Sequence, residues 1–96
     1  RKSMIGKFVI CRTYSAGVHT GYLQEIHGTA GILKEARRLW KWTGAFTLNE
    51  VANDGCGEDS RISNPVKEIL LTEIIEVIPC TEKATANLRR SRNQKQ

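Results

Sequence analysis

Hydrophobic and polar positions follow two competing periods along this chain, and the conflict is sharpest between Lys34 and Phe46. With side chains alternating at period two, Arg38, Trp40 and Trp42 share one face and form an aromatic and cationic stripe. At the helical period, Ile32, Leu33, Ala36, Leu39 and Trp40 gather at the spacing of a buried face instead, and the arginines are simply solvated. Local propensity favours the helix, since Lys, Glu, Ala, Arg and Leu are good helix formers. Upstream the pattern is clearer. Lys7 to Tyr14 reads as a strand with Phe8, Ile10, Arg12 and Tyr14 on one side, and Thr20 to Ile26 as its return. Glycine-containing turns lie between them and after them, and Ile32 to Lys34 starts a third strand.

Downstream, Thr47-Leu48-Asn49-Glu50 has the form of a capping box, predicting a short helix through Val51 and Ala52 that ends near Gly55. Residues 53–64 are polar and glycine-containing, which predicts an exposed loop. Pro65 to Pro79 is the most apolar run and fits neither period over its whole length, so it reads as a strand pair or a strand bent near Thr72-Glu73. Thr81 caps a last helical turn or two through Leu88. Beyond it, residues 89–96 contain no apolar side chain and are expected to be disordered unless bound.

A length of 96 residues allows one domain with a single core. The expected organisation is an N-terminal extension over residues 1–6, a β-domain over 7–81 and a basic C-terminal tail over 82–96. Self-association would add buried surface. No stretch approaches the roughly 20 apolar residues of a membrane span, and Arg1-Lys2-Ser3-Met4 lacks the apolar region of a secretory signal. A soluble, intracellular protein is the expectation, without a membrane partner.

The net charge is +5, and its position matters more than its size. Residues 82–96 carry five basic groups (Lys83, Arg89, Arg90, Arg92, Lys95) against Glu82, or +4, leaving +1 for residues 1–81 from ten basic and nine acidic groups. Such a tail suits phosphate or partner contacts, and equally serves as a solubilising extension. Three cysteines without a closely spaced pair argue against a disulfide framework and a structural zinc site. Cys11 and Cys80 read as small buried hydrophobes, and Cys56, between two glycines, as an exposed thiol.

Three blocks, RTYSAGVHTGYL (Arg12 to Leu23), ARRLWKWTGAFTL (Ala36 to Leu48) and EILLTEIIEVIPCT (Glu68 to Thr81), resemble those of a family of short proteins of unknown function encoded in bacteriophage and prophage genomes. The resemblance covers nearly everything from Phe8 to Thr81. It implies a phage origin, hence a place in the host cytoplasm or the virion, and a strand for the central block. It implies no catalytic residue.

Two constellations stand out. Ser15, Gly17, His19, Thr20 and Gly21 lie between Tyr14 and Tyr22, where backbone N–H groups of a turn, with His19 and the tyrosines, could receive a phosphate or a ring. A plain hairpin turn is the simpler reading. Arg37, Arg38, Trp40, Lys41 and Trp42 suit single-stranded nucleic acid, whose bases stack on rings and whose phosphates meet cations. They equally suit a core or subunit interface, where tryptophan and arginine are common anchors.

Catalysis has weaker support. Cys11 with His19 or His27 is the one thiol and base combination, and Cys11 sits inside a strand pattern with nothing to activate it. Glu58-Asp59 and Glu73 with Glu76 read as solvated charges. No metal triad and no cofactor motif is present.

The sequence thus predicts a mainly β fold, a small antiparallel SH3-like barrel of about five strands with one short helix and a helical, basic C-terminal extension. It predicts a non-enzymatic phage-derived binding and assembly module, structural or virion-associated and homo-oligomeric. The alternatives are a nucleic-acid-associating module and an inhibitor of a host defence system acting through the Tyr14 to Tyr22 loop.

Overall fold

The computed structural model describes residues 4–41, 47–57 and 60–90. Among them the elements run β1 (Phe8–Thr13), β2 (Val18–His27), β3 (Ala30–Lys41), α1 (Leu48–Asp54), β4 (Arg61–Ile62), β5 (Val66–Leu71), β6 (Ile74–Pro79) and α2 (Glu82–Arg90). The strands form one sheet in the order β4-β3-β2-β1-β6, with β5 also on β3, and every pairing is antiparallel. The fold is mainly β. β5 and β6 follow each other through Thr72 and Glu73 yet pair with β3 and β1 respectively, not with each other, so the sheet is open. This explains why the run from 65 to 79 fits no single period: two strands within it face different neighbours.

β3 is the axis of the sheet. It lies against β2 along one edge and, on the other, against β5 from Gly31↔Leu71 to Ala36↔Val66 and then β4 through Leu39↔Ile62 and Lys41↔Arg61. The good helix formers at 34–39 are strand residues because three neighbouring strands satisfy their backbone groups, and pairing outweighs propensities of a few tenths of a kcal/mol per residue. The strand bends at Glu35, whose φ is 52°. Tyr22 pairs with Lys34 and Thr20 with Arg37, so the single residue Gly21 opposes both Glu35 and Ala36 in a β-bulge. Gly21 is needed there. A Cβ at that position would lie 2.9 Å from the Lys34 carbonyl oxygen and 3.3 Å from Ala36 Cα.

Both faces of the sheet are buried where β1 runs. Phe8 and Ile10 join Leu39 and Ile62 beneath Val51, Ala52, Cys56 and Leu88, whereas Val9 and Cys11 join Leu23, Leu33 and Ala36 against Leu71 and Ile74. The four consecutive buried residues of β1 follow from that double contact.

The helix signals are realised. The Thr47 hydroxyl accepts from the Glu50 N–H at 3.2 Å, and Gly55 ends α1 with φ 87°. Thr81 Oγ1 accepts from the Ala84 N–H at 3.1 Å and donates to the Asn53 carbonyl at 2.6 Å, fixing α2 to the end of α1. Ala84 and Leu88 are fully buried, so the segment that begins at residue 82 enters the core before it reaches the chain end. The expectation of an exposed loop over 53–64 fails at its centre: Gly55, Cys56 and Ser60 are buried and β4 lies within it. Asn87 is the reason. Its side chain accepts from the Cys56 N–H at 2.9 Å and donates to the Cys56 carbonyl at 3.1 Å, holding Cys56 inside rather than as the exposed thiol its flanking glycines predicted.

Candidate binding surface

Alternation along β3 separates the two arginines that look equivalent in sequence. Arg37 points inward and is buried; its Nε donates to the Ser63 carbonyl at 2.7 Å and its Nη1 to the Leu88 and Arg89 carbonyls at 2.9 and 3.1 Å. It is a cation seated on the C-terminal carbonyls of α2, where the helix dipole is negative. Burial lowers the guanidinium from its ordinary value, with Cys56 acting in the opposite direction. Arg37 therefore ties β3 to Ser63 and to the end of α2.

Arg38 points outward. Its backbone is tied to Ser63, with the Arg38 N–H donating to Ser63 Oγ at 2.8 Å and the Ser63 N–H to the Arg38 carbonyl at 2.9 Å. Its guanidinium lies over the β1–β2 turn, so close that a Cβ on Gly17 would sit 3.3 Å from Nη2. Trp40 is 48% exposed on the same side. Between Leu39↔Ile62 and Lys41↔Arg61 the register slips by one residue, so that Trp40 and Lys41 together oppose Arg61, and both are exposed. Among the described residues Arg38, Lys41 and Arg61 form no salt bridge, and Arg61 Nη1 is buried with no hydrogen-bond partner. Trp42, the third member of the predicted stripe, lies outside the described residues.

The predicted Tyr14 to Tyr22 constellation is dispersed. Tyr14 is exposed at the turn, whereas Tyr22 is half-buried on β2, edge-on to Phe8 with centroids 5.1 Å apart and beneath the Arg89 guanidinium at 5.6 Å. The turn uses its own polar groups: Thr13 Oγ1 donates to the Gly17 carbonyl at 2.8 Å and accepts from the Ala16 N–H at 2.9 Å, and the Ser15 hydroxyl meets the Glu73 carboxylate.

His19 is buried between Cys11 on β1 and Arg38 on β3, with its Nδ1 unpartnered. Burial and the charge of Arg38 both lower its pKa, and burial pushes the Cys11 thiol up to about 11. Both groups are thus held neutral, the opposite of a thiolate–imidazolium pair. His27 is exposed at the far end of β2, 3.5 Å from Glu25.

Of the basic residues after 81, Lys83 lies 3.6 Å from Asp54 and Arg89 lies 3.5 Å from Glu35, while Arg90 is exposed at the end of α2; Arg92 and Lys95 lie outside the described residues, as do Glu58 and Asp59. A shallow cleft of about 300 Å³ is lined by Arg12, Val18, Leu48 and Glu76, and its two charged residues pair with each other at 3.2 Å. Among the described residues no three His, Cys, Asp or Glu side chains group as metal ligands, and no helix is long and apolar enough to cross a membrane.

Arg61 and Ser63 went unnoticed in the sequence because β4 is two residues long inside a polar stretch. The alternation of Arg61 and Ile62 is too short to register as a strand. The exposed apolar residues of β5 and β6 were likewise hidden within a run that reads as core.

The molecule is a small, open antiparallel β-domain with two helices over one face. It belongs to the family defined by a domain of unknown function, DUF6948, which matches residues 6–88 and so takes in α2 down to Leu88. No curated protein and no solved structure matches the chain.

Proposed function

We propose that this protein is a non-enzymatic, phage-derived assembly module that self-associates through the open edges of its sheet. The observation that carries the reading is the presence of exposed aliphatic side chains on two edge strands: Val66 and Leu70 on β5, the latter 62% exposed, and Ile75 on β6. Each of these strands is paired on one side only, and unpaired backbone groups beside apolar side chains are a template for a further strand. A second copy of the chain is the occupant that fits, because its own β5 or β6 offers the same combination. We read the sheet as a small SH3-like barrel left open at the seam between β5 and β6, with the neighbouring subunit taking the place of the missing pairing.

Light scattering at low salt and at about 1 M salt, where charge contacts are screened within about 3 Å, tests this directly. The wild type should remain a dimer or larger in both, and Leu70→Glu combined with Ile75→Glu should be a folded monomer. A wild-type monomer at every concentration refutes the proposal. Mass spectrometry of purified virions then decides whether the assembly is a particle component.

A further inference from the structure

From the exposed end of β3 we infer a second, separate surface that binds single-stranded nucleic acid, with one base stacked on Trp40 and phosphates held by Arg38, Lys41 and Arg61. This does not depend on the exposed aliphatic side chains of β5 and β6 that carry the proposed self-association. Three features converge here. Trp40 is half-exposed although it is the largest apolar side chain in β3, so its ring is offered outward and not used in the core. The register slip at Trp40 turns it and Lys41 together toward Arg61, which places a cation on each side of the ring in the chain direction and another across the strand pair. No described carboxylate pairs with Arg38, Lys41 or Arg61, in contrast to Arg12, Lys83 and Arg89, each of which has a carboxylate at 3.2 to 3.6 Å.

The chemistry points to a polyanion that carries flat, unpaired rings. A protein partner would bring carboxylates or apolar groups to this patch, and a duplex keeps its base faces stacked inside, leaving the indole without a partner. A single strand supplies both a free π-face for Trp40 and phosphates at a spacing that side chains on two adjacent strands can span. Nothing in this patch reads a base edge, so DNA and RNA strands and different sequences should bind with similar strength.

The test is fluorescence anisotropy of labelled oligothymidylate and oligouridylate with the full chain, alongside a duplex of the same length. Three phosphate contacts give a log–log salt slope of about −2 for a single strand, so affinity should fall about fifteenfold between 50 and 200 mM salt. Trp40→Ala should weaken binding about ten- to a hundredfold at constant salt, and Trp40→Phe should retain most of it. Lys41→Ala with Arg38→Ala should flatten the slope to about −0.7. Circular dichroism of each variant confirms the fold. The inference is overturned if Trp40→Ala binds like the wild type, if the duplex binds as tightly as the single strand, or if removing residues 91–96 alone abolishes binding. A Trp40→Ala protein that changes oligomeric state while keeping its oligonucleotide affinity would also overturn it, assigning the patch to a protein contact.

Discussion

Replacing Arg37 by alanine should be far more damaging than replacing Arg38, although the two are adjacent and identical in chemistry. Arg37 gives three hydrogen bonds to carbonyls at 2.7 to 3.1 Å, two of them at the end of α2. Charge-assisted hydrogen bonds contribute about 1.5–3 kcal/mol each, they are not additive, and the carbonyls left behind are partly buried. A loss of roughly 3–5 kcal/mol follows, against a total stability of about 5–14 kcal/mol for a domain of this size. Since each kcal/mol is worth about 4–8 °C in midpoint for a small domain, Arg37→Ala should lower the thermal midpoint by at least about 12 °C. Arg38→Ala, at an exposed position, should cost about 0.5 kcal/mol or less. Arg37→Lys should fall between, because an ammonium keeps the charge but cannot span Ser63 and the helix end at once. Urea and thermal unfolding followed by circular dichroism measure all three. Equal losses for the two alanine variants, or a larger loss for Arg38, would refute the inward and outward assignment along β3, and with it the surface built on that strand.

Two further predictions concern β2. His19 is held below its ordinary pKa of 6.5 by burial and by Arg38, so on acidification the unfolded chain takes up the proton first. Stability should accordingly be highest above pH 6.5 and fall as the pH drops below it, by at most about 1.4 kcal/mol per pH unit, and His19→Gln should flatten that decline in urea titrations. Parallel wild-type and variant curves would remove His19 as the cause. Gly21→Ala should destabilise by about 1–3 kcal/mol because its methyl group meets backbone atoms of Lys34 and Ala36, which cannot yield as a side chain can. A neutral effect in the same titration would show that the bulge relaxes freely.

Much of this architecture is legible in the residues themselves. Phe8 to Thr13 is rich in β-branched and aromatic residues, Thr47 and Glu50 are spaced for a cap, Gly55 sits where a helix must end, and Thr72-Glu73 interrupts an apolar run too long for one strand. What resisted reading depends on contacts distant in sequence. Cys56 is buried because Asn87, 31 residues away, pairs with its backbone, and nothing near Cys56 announces that. β4 exists because β3 offers a free edge beyond Ala36, not because Arg61 and Ile62 favour extension. The candidate surface was half visible. Period two grouped Arg38 with Trp40, yet local spacing cannot reveal that Arg37 serves a helix terminus 51 residues downstream or that Arg61 arrives from across a strand.

Glu35 is an extra residue of β3 opposite β2, accommodated with a left-handed φ of 52° and tied by its carboxylate to Arg89. The bulge absorbs it, so that Leu33 and Ala36 lie in one buried cluster while Leu39 lies in the other. Deleting Glu35 would leave Gly21 opposite Ala36 alone and keep Arg37 and Leu39 inward. Inserting a residue that the bulge does not absorb would instead shift the strand by one step and exchange the roles of neighbours, turning Arg37 and Leu39 to solvent. The strand can therefore lose a residue at this point more readily than it can gain one.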